Sequence, residues 1–371
     1  MKIVEVTNVD FSLRQFVLPL MRGLRERGHE VVGVCADGPH LAAVRAEGFR
    51  VVAVPMARSV SPAAQLRAFR ALLAVLRAER PDLVHAHMPI SGFLARLAAR
   101  LAGVPRIAYT CHGFLFNQPG PWLRRAASLS MEWLAGRCTD VFMTVSGAEA
   151  EDARRLRICR GAVPVGNGRA PARFRPDPET RQRVRTEMKV PPHRVVVAIV
   201  ARLVRHKGHP ELVAAMKQLV DEGVNAELWV IGDRLPSDHG EDLAPMFAAS
   251  GLGPRLRRLG YRDDVPALLA AADIFALPSQ FEGLPMSIIE AMLTGLPVVA
   301  ADVRGPREQV LHRETGLLVP PGDTAALARA LHLLAADAGL RARLGGAGRA
   351  RALALYDEAR VVARTLDLLG A

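Results

Sequence analysis

The sequence is poor in cysteine, in aromatic residues and in long apolar runs. Its 371 residues include 4 cysteines, and only 5% of the residues are aromatic. Cys35, Cys111, Cys138 and Cys159 lie far apart with no C-x-x-C pair, which argues against a disulfide framework or a cysteine metal cluster. No uncharged apolar run approaches the roughly 18–20 residues that span a bilayer, and the chain starts in a strand-like segment instead of a signal peptide. We therefore expect a cytoplasmic protein.

Two common nucleotide-binding motifs are also missing. No G-x-G-x-x-G follows the first strand-like segment, residues 3–6, where a Rossmann oxidoreductase carries it. The chain contains no G-x-x-x-x-G-K-[ST] either. These absences argue against a dinucleotide-dependent oxidoreductase and against a P-loop enzyme.

Acidic residues are outnumbered by basic ones. Lys and Arg total 49 against 37 Asp and Glu, a formal net charge of +12. Such an excess favours polyanionic partners such as phosphorylated substrates, anionic lipid or nucleic acid. The basic residues are mostly arginines scattered along predicted helices, without a basic tail or an RNP-like aromatic motif, so nucleic acid is not an expected partner.

Strand-like and helix-like segments alternate along most of the chain. Apolar runs of strand length at 3–6, 30–35, 51–54, 82–85, 106–110 and 141–145 are separated by segments of helical periodicity. A second cycle of the same kind begins near residue 194, after a Pro- and Arg-rich passage at 164–178. Alternation of this type predicts an α/β protein with parallel sheets covered on both faces. We predict two Rossmann-like domains, residues 1–168 and 180–350, followed by a helical segment at 351–371.

The stretch 277–299 carries the clearest chemistry. Glu282 lies in the loop between a short predicted strand and a helix, and Glu290 lies about a turn and a half inside that helix. Pro285 suits the first helical position and Gly295 the end of the helix. The open N–H groups at such a helix start favour a phosphate, whereas a carboxylate beside it is better suited to hydroxyl groups. This combination indicates a nucleotide-sugar site; the alternative is an ordinary strand–loop–helix with one partly solvated glutamate.

Two cations and three histidines extend this interpretation. Arg202 and Lys207 follow the first strand of the second domain, at the carboxyl edge where ligands of open α/β sheets bind, and together they can hold a diphosphate. His112 follows a strand in the first domain and is either catalytic or a hydrogen-bonded structural residue. His85 and His87 resemble a metal pair, but with no third ligand nearby in the sequence we interpret them as the end of a buried strand.

Three sequence motifs point to one family. SQFEGLPMSIIEAMLTGLPVVA, the A-R-L-x-x-x-K-G-H pattern at 201–209 and the T-x-H-G-F pattern at 110–114 resemble the motifs of retaining glycosyltransferases of family 4. The resemblance implies the GT-B fold, with two Rossmann-like domains whose parallel sheets face each other across a cleft. It also implies that the last helix crosses back to the N-terminal domain.

The resemblance implies a role for individual residues. Arg202 and Lys207 would neutralise the leaving nucleoside diphosphate without a metal ion, and His112 would lie at the reacting centre with Glu282. The residues implied for the donor are Arg202, Lys207, Tyr261, Arg262, Glu282, Gly283, Leu284 and Glu290. Among these, Glu282 with Gly283 and Leu284 would bind the sugar, Glu290 the ribose, and Tyr261-Arg262 would lie near the base.

The implied activity is that of a hexosyltransferase-type enzyme (class 2.4). It would move a sugar, with retention of configuration, from a nucleotide diphosphate sugar, UDP-linked, to a lipid-linked sugar in envelope or exopolysaccharide synthesis, with no cofactor beyond the co-substrate. Three alternatives remain open: transfer to a soluble small molecule, a nucleotide-sugar 2-epimerase of the same fold, and a non-catalytic sugar-nucleotide sensor.

The acceptor side is predicted in the first domain. Phe114-Leu115-Phe116 and Trp122-Leu123-Arg124-Arg125 combine apolar and cationic side chains beside His112, as expected of a segment that docks a lipid-linked acceptor at an anionic membrane surface. An ordinary packed segment is the alternative.

Two positions depart from the family pattern. The first loop, Asn8-Val9-Asp10-Phe11, lacks a glycine pair, and Arg169-Ala170 replaces an apolar residue and aspartate after Asn-Gly. We expect both departures to affect the acceptor and to leave the donor site intact.

Overall fold

The computed structural model describes residues 1–56, 61–234, 238 and 240–371. The chain divides into two compact units. The first comprises Met1–Gly166 and Ala359–Ala371, and the second comprises Asn167–Glu358. The chain therefore leaves the first unit once and returns to it for its last thirteen residues.

The first unit alternates strands and helices. Its strands are β1 (Lys2–Val6), β2 (Glu30–Cys35), β3 (Arg50–Ala53), β4 (Leu83–His87), β5 (Arg106–Cys111), β6 (Val141–Thr144) and β7 (Val163–Pro164). Its helices are α1 (Asp10–Ser12), α2 (Leu18–Glu26), α3 (Leu41–Ala46), α4 (Pro62–Glu79), α5 (Pro89–Ala102), α6 (Trp122–Gly136) and α7 (Gly147–Arg155). A π-helical turn, Leu13–Val17, joins α1 to α2.

The seven strands form one parallel sheet in the order β3-β2-β1-β4-β5-β6-β7. Strand order reverses between β1 and β4, so the loops that follow these two strands leave in opposite directions and open a crevice at their carboxyl ends. The β1–β4 register aligns Glu5 with His85, and the β4–β5 register aligns His87 with Thr110. Polar residues of three adjacent strands therefore meet beside this crevice.

The C-terminal helix α16 (Glu358–Leu369) packs on the first unit. Leu366 and Leu369 are buried in the core of that unit, and Arg27 donates to Asp367 over 2.9 Å. Gly23 on α2 permits this packing, because a Cβ there would lie 2.7 Å from a methyl carbon of Val362.

The second unit repeats the pattern. Its strands are β8 (Val195–Val200), β9 (Ala226–Ile231), β10 (Leu256–Gly260), β11 (Ile274–Leu277), β12 (Val298–Ala301) and β13 (Gly316–Val319). Its helices are α8 (Pro178–Glu187), α9 (His209–Asp221), α10 (Ala244–Ala248), α11 (Val265–Ala271), α12 (Met286–Leu293), α13 (Arg304–Gln309), α14 (Thr324–Ala336) and α15 (Ala338–Leu355). All six strands are parallel, in the order β10-β9-β8-β11-β12-β13.

Continuous apolar composition explains why the central strands are covered on both faces. In β8, VVVAIV, the four inner residues are buried, and in β11, IFAL, all four are buried. Strands buried on both faces lose the polar–apolar alternation of a one-sided sheet. The alternating strands and helices confirm the predicted α/β class.

The sequence prediction missed several short elements, namely α7, β7, α8, α13 and β13. Two of them carried capping signals. Ser146 caps α7 by accepting from the backbone N–H of Glu149, and Asp177 caps α8 by accepting from that of Thr180, with Pro178 following as the first helical residue. Pro285, predicted as the first residue of α12, instead precedes Met286 as the N-cap.

In the part of the chain that the structure describes, no helix has both the length and the apolar character that crossing a membrane requires.

Candidate functional site

In the second unit, strand order reverses between β8 and β11. The loop after β8 carries Arg202 and Lys207, and the loop after β11 carries Ser279 and Glu282. Ligands of open α/β sheets bind outside the carboxyl ends of the strands at such a reversal. The two segments singled out from sequence thus share one edge of one sheet.

Lys207 and Glu282 form an ion pair across this reversal. The Lys207 ammonium donates to Glu282 Oε1 over 2.6 Å, and the Ser279 hydroxyl donates to the same oxygen over 2.7 Å. Both charged side chains are mostly buried, at 17% and 9% exposure. The residue predicted to bind the diphosphate, Lys207, is therefore in direct contact with the residue predicted to bind the sugar, Glu282.

Gly208 allows the two loops to approach this closely. Its φ of +78° favours glycine, and a Cβ there would lie 2.2 Å from the carbonyl oxygen of Pro278. Gly208 is also the N-cap of α9, which has no side-chain cap, so the first N–H groups of that helix remain available near this edge. The local backbone adds an anion-binding feature to Lys207.

Arg202 pairs with Asp238, and its own side chain is 40% exposed. Its carbonyl oxygen accepts from His209 Nε2 over 2.8 Å. Burial lowers the pKa of His209 to about 4, so this imidazole is neutral at pH 7. The guanidinium of Arg202 thus lies in the same loop as Lys207, but it pairs with Asp238, whereas Lys207 pairs with Glu282.

Glu290 is buried on α12, and one of its carboxylate oxygens is held by Arg169. Arg169 Nε donates to Glu290 Oε1 over 2.7 Å, with both side chains about nine-tenths buried. The departure at Arg169 therefore bears on the predicted donor site as well as on the acceptor, and whether that site is intact stays a prediction. Arg169 lies directly against the residue predicted to bind ribose.

The backbone between Glu282 and Glu290 is also fixed by contacts within the second unit. The carbonyl of Leu284 accepts from Asn167 Nδ2 over 2.7 Å. Gly305 packs so tightly that a Cβ there would lie 1.9 Å from the carbonyl oxygen of Gly283. The N-cap of α12, Pro285, offers no side-chain cap, so the N–H groups at its start stay open as the sequence predicted.

Tyr261 and Arg262 lie further away along the sheet. They follow the edge strand β10, which two strands separate from β11. Neighbouring strands are about 4.8 Å apart, so this loop lies on the order of 14 Å from the loop after β11. Arg262 makes a two-pronged ion pair with Asp264, at 2.7 and 2.6 Å, and Tyr261 is 48% exposed.

His112 lies one strand away from the corresponding reversal of the first unit, which is between β1 and β4. It follows β5 and lines a pocket of about 310 Å³. The other lining residues come mainly from the loops after β1 and β4 and from α5; they include Asn8, Met88, Ile90 and Leu94. Burial lowers the pKa of His112 well below its usual range, so its ring is neutral at pH 7.

Glu5 is the residue that sequence analysis missed. It is fully buried and lies 2.7 Å from His87 Nε2 and 3.1 Å from His85 Nδ1, so a third potential metal ligand does lie beside the two histidines. A signal for it existed, because Glu5 interrupts the apolar strand β1 and a buried charge requires partners. The prediction that His85 and His87 end a buried strand is confirmed.

The predicted acceptor segment divides into a buried and an exposed part. Phe114 and Phe116 are core residues stacked on each other at 4.6 Å, so they present no docking surface and that part of the prediction is wrong. Trp122 and Leu123, at the start of α6, are 73% and 63% exposed.

The two parallel sheets, each with polar residues at the carboxyl ends of its strands, define a protein of two Rossmann-like units. Comparison with known proteins identifies its family. Residues 13–168 match the family model described as "Glycosyl transferase 4-like domain", and residues 194–337 match "Glycosyl transferases group 1". The solved structure of HepE from Anabaena, in complex with UDP, has a TM-score of 0.83 at 22% identity and covers 100% of both chains. Such neighbours establish the GT-B fold.

Two curated relatives extend the match over most of the chain. The putative glycosyltransferase EpsD of Bacillus subtilis (strain 168) is 30% identical over 375 residues, covering 100% of this chain and 96% of the relative. A UDP-Gal:α-D-GlcNAc-diphosphoundecaprenol α-1,3-galactosyltransferase of Escherichia coli is 28% identical, covering 86% of this chain and 82% of the relative. The chain belongs to the group 1 glycosyltransferases, family 4, and is a glycosyltransferase.

Proposed function

We propose that this enzyme transfers a sugar, with retention of configuration, from a UDP-linked donor to a lipid-linked sugar acceptor. The observation that carries the proposal is the Lys207–Glu282 pair at the strand reversal of the second unit. A cation next to a helix start suits a diphosphate, and a carboxylate beside it suits sugar hydroxyls. The names of two relatives support the nucleotide and the acceptor, since one contains UDP-Gal and a diphosphoundecaprenol-linked sugar and the other was solved with UDP.

The proposed step exchanges one bond for another at the sugar's anomeric carbon. The bond from that carbon to the diphosphate oxygen breaks, and a bond to the acceptor hydroxyl oxygen forms on the same face. The acceptor proton passes to the departing phosphate oxygen, so no protein base is required. Lys207 and Arg202 stabilise the negative charge that develops on the leaving diphosphate, which is the electrostatic contribution that catalysis of this kind demands. The residues present need no metal ion for this role.

Glu282 and Glu290 have separate tasks in this scheme. Glu282 accepts hydrogen bonds from the donor sugar, with the backbone of Gly283 and Leu284 beside it, and Glu290 accepts from the ribose. Arg169 holds one oxygen of Glu290 and leaves the other for ribose. Tyr261 and Arg262, at the sheet edge, remain candidates for the base.

An exposed face of α6 supports a membrane-bound acceptor. Trp122 and Trp133 are eleven residues apart, close to three helical turns, and so lie on one face about 16 Å apart. Leu123 and Leu134 repeat the spacing, and all four side chains are at least 44% exposed. Arg137 covers the ring of Trp133. Aromatic and aliphatic residues flanked by arginine suit the headgroup region of an anionic membrane, where the enzyme would work at its inner face.

A transfer assay tests the proposal. Purified enzyme is incubated with radiolabelled UDP-sugars and a bacterial lipid extract, and the product is analysed by NMR for its anomeric configuration. Label in the lipid fraction with the donor's configuration supports the proposal. Label found only in water-soluble products would contradict a lipid-linked acceptor and indicate a soluble one. A product of inverted anomeric configuration would overturn the proposed retaining mechanism.

A further inference from the structure

Four polar side chains form a buried hydrogen-bonded cluster beside the pocket of the first unit. They come from two adjacent strands and from the loop after the next strand: Glu5 on β1, His85 and His87 on β4, and His112 after β5. Glu5 and His85 are completely buried, and His87 is nearly so. Because alternate residues of a strand share a face, His85 and His87 both point towards Glu5.

One chain of bonds runs from Glu5 to His112. Glu5 Oε2 lies 2.7 Å from His87 Nε2, and His87 Nδ1 lies 3.2 Å from His112 Nε2. Within the described residues, no protein group bonds to the remaining ring nitrogen, His112 Nδ1. His112 lines the pocket of about 310 Å³ that also includes Asn8 and Gln118.

The position of each proton in the hydrogen bonds that link Glu5, His87 and His112 follows from the ionisation of Glu5. Burial pushes the pKa of Glu5 up, but the charges and hydrogen bonds of His85 and His87 outweigh it and hold the pKa at about 2. Burial lowers the pKa of His87 to about 4, so its ring carries a single proton at pH 7. A carboxylate only accepts, so that proton lies on Nε2 and is donated to Glu5. His87 Nδ1 is then an acceptor and must receive the proton of His112 Nε2.

The second branch of the cluster runs from Glu5 through His85 to Thr110. His85 Nδ1 donates to Glu5, at 3.1 and 3.2 Å from its two oxygens, and His85 Nε2 lies 2.8 Å from the hydroxyl of Thr110. The Thr110 hydroxyl can donate to that nitrogen or accept from it, so this branch sets no requirement on the tautomer of His112. This branch ends at Thr110 and does not reach His112.

We propose that Glu5 and His87 are positioning residues that fix His112 in the tautomer with a bare Nδ1, which accepts a hydrogen bond from a substrate hydroxyl. The inference rests on the proposed function, because it assigns a task to the pocket residue of a sugar-transferring enzyme. It separates orientation from proton removal: the neutral imidazole holds a hydroxyl in place while the departing phosphate takes the acceptor proton. A tautomer with the proton on Nδ1 would present a donor instead and lose this bond.

Glu5→Gln tests the donor-to-acceptor direction of the hydrogen bonds that link Glu5, His87 and His112. With its amide group towards His87, glutamine donates where the carboxylate accepted, so His87 carries its proton on Nδ1 and His112 is forced into the opposite tautomer. We expect kcat for sugar transfer to fall by about tenfold or more, the effect of one lost hydrogen bond, with UDP affinity unchanged. Nitrogen NMR of the histidine rings should show an unprotonated His112 Nδ1 in the wild type and a protonated one in the variant.

Thr110→Val is the matched control. It has a similar shape, perturbs the same buried cluster and removes only the branch that ends at Thr110, so both kcat and the His112 tautomer should match the wild type. If Glu5→Gln does not fold, His87→Phe replaces it: the ring shape is kept but the acceptor of the His112 Nε2 proton is lost, so the His112 tautomer is no longer fixed and the same loss of kcat is expected.

Three results would overturn the inference: a protonated Nδ1 in wild-type His112, an unaltered tautomer and rate in Glu5→Gln, or an equal loss in Thr110→Val. Stoichiometric metal in the purified protein would also overturn it, since Glu5, His85 and His87 would then be ligands. The NMR result needs no turnover, so it stands apart from failure of the proposed transferase reaction.

Discussion

Lys207 Nζ lies 2.6 Å from Glu282 Oε1, across the point where strand order reverses in the second unit. A single ion pair thus joins the residue proposed to hold the diphosphate to the one proposed to hold the sugar. Because both side chains are largely buried, removing either leaves the other with an uncompensated charge. Stability effects at these two positions should therefore be strongly non-additive.

Lys207→Ala should weaken UDP binding by roughly ten- to a hundredfold, the worth of one hydrogen bond to a charged group. Isothermal titration calorimetry measures this directly. Lys217→Ala is the matched control, since Lys217 lies on α9 and makes an exposed ion pair with Asp221. Unchanged UDP affinity in Lys207→Ala, in a variant that still folds, would remove Lys207 from the donor site.

Glu282→Gln should reduce sugar transfer much more than binding of bare UDP, because its proposed partners are hydroxyls of the sugar. The comparison requires kcat/KM with the nucleotide sugar and the dissociation constant of UDP from the same preparations. Glu187→Gln, at an exposed carboxylate paired with Arg183, should alter neither. Equal losses of transfer and of UDP binding would indicate a contact with the nucleotide instead.

Arg169→Ala should impair recognition of the ribose. Without the bond from Arg169 Nε, Glu290 is no longer held in one orientation, so the preference for UDP over its 2′,3′-dideoxy analogue should fall by several-fold. Competition binding with the two nucleotides gives the ratio. Arg175→Ala, at an exposed arginine nearby, is the control. A ratio that stays at the wild-type value would show that the Arg169–Glu290 pair is only structural.

The paired substitution Trp122→Ser, Trp133→Ser should abolish sedimentation with anionic vesicles. The intact chain should sediment with phosphatidylglycerol vesicles and much less with phosphatidylcholine vesicles, because both apolar burial and charge contribute. Leu333→Ser removes a similarly exposed apolar residue from the second unit and should leave sedimentation unchanged. Equal binding of the wild type to both vesicle types, or to neither, would contradict membrane docking by α6.

Stability should fall as the pH drops from 6.5 towards 4. The pKa of His209 is lowered by burial from 6.5 to about 4, so below pH 6.5 the unfolded chain takes up a proton that the folded chain does not. The linked loss is about 2 kcal/mol between pH 6.5 and pH 5 for this histidine alone. Urea unfolding at pH 7 and pH 5 measures it. His209→Gln should lose about that much less, whereas an identical pH dependence would show that His209 does not titrate in this way.

The sequence predicted regular elements well where local physics decides them. Strands such as β8 are continuous apolar runs, and helix α12 begins after a proline and ends before Gly295, so their positions follow from residue order. The α/β class, the family and the shared sheet edge of Lys207 and Glu282 were all predictable. The short strand β13, Gly316–Val319, was not predicted.

Contacts between distant residues were not predictable from residue order. Glu5 meets His85 because β1 pairs with β4, and the sequence carries no record of which strands are neighbours. Arg169 was recognised as unusual, but its contact with Glu290, 121 positions away, depends on how the second unit folds. The two phenylalanines of the predicted docking segment were misjudged because an apolar side chain in a loop can be packed into the core or exposed at the surface, and the residue type alone does not distinguish the two.

Thermal unfolding with UDP, GDP, ADP and TDP, in wild type and Lys207→Ala, tests the central claim most directly. A nucleotide that binds the folded state stabilises it by roughly 2.7 kcal/mol at a hundredfold excess over its dissociation constant. The account predicts a clear rise of the wild-type midpoint with UDP and a smaller one in Lys207→Ala, where binding weakened ten- to hundredfold leaves roughly 0.4–1.4 kcal/mol of stabilisation at the same UDP concentration. No shift with any nucleotide, or an equal shift in both proteins, would contradict a nucleotide-sugar site built on the Lys207–Glu282 pair.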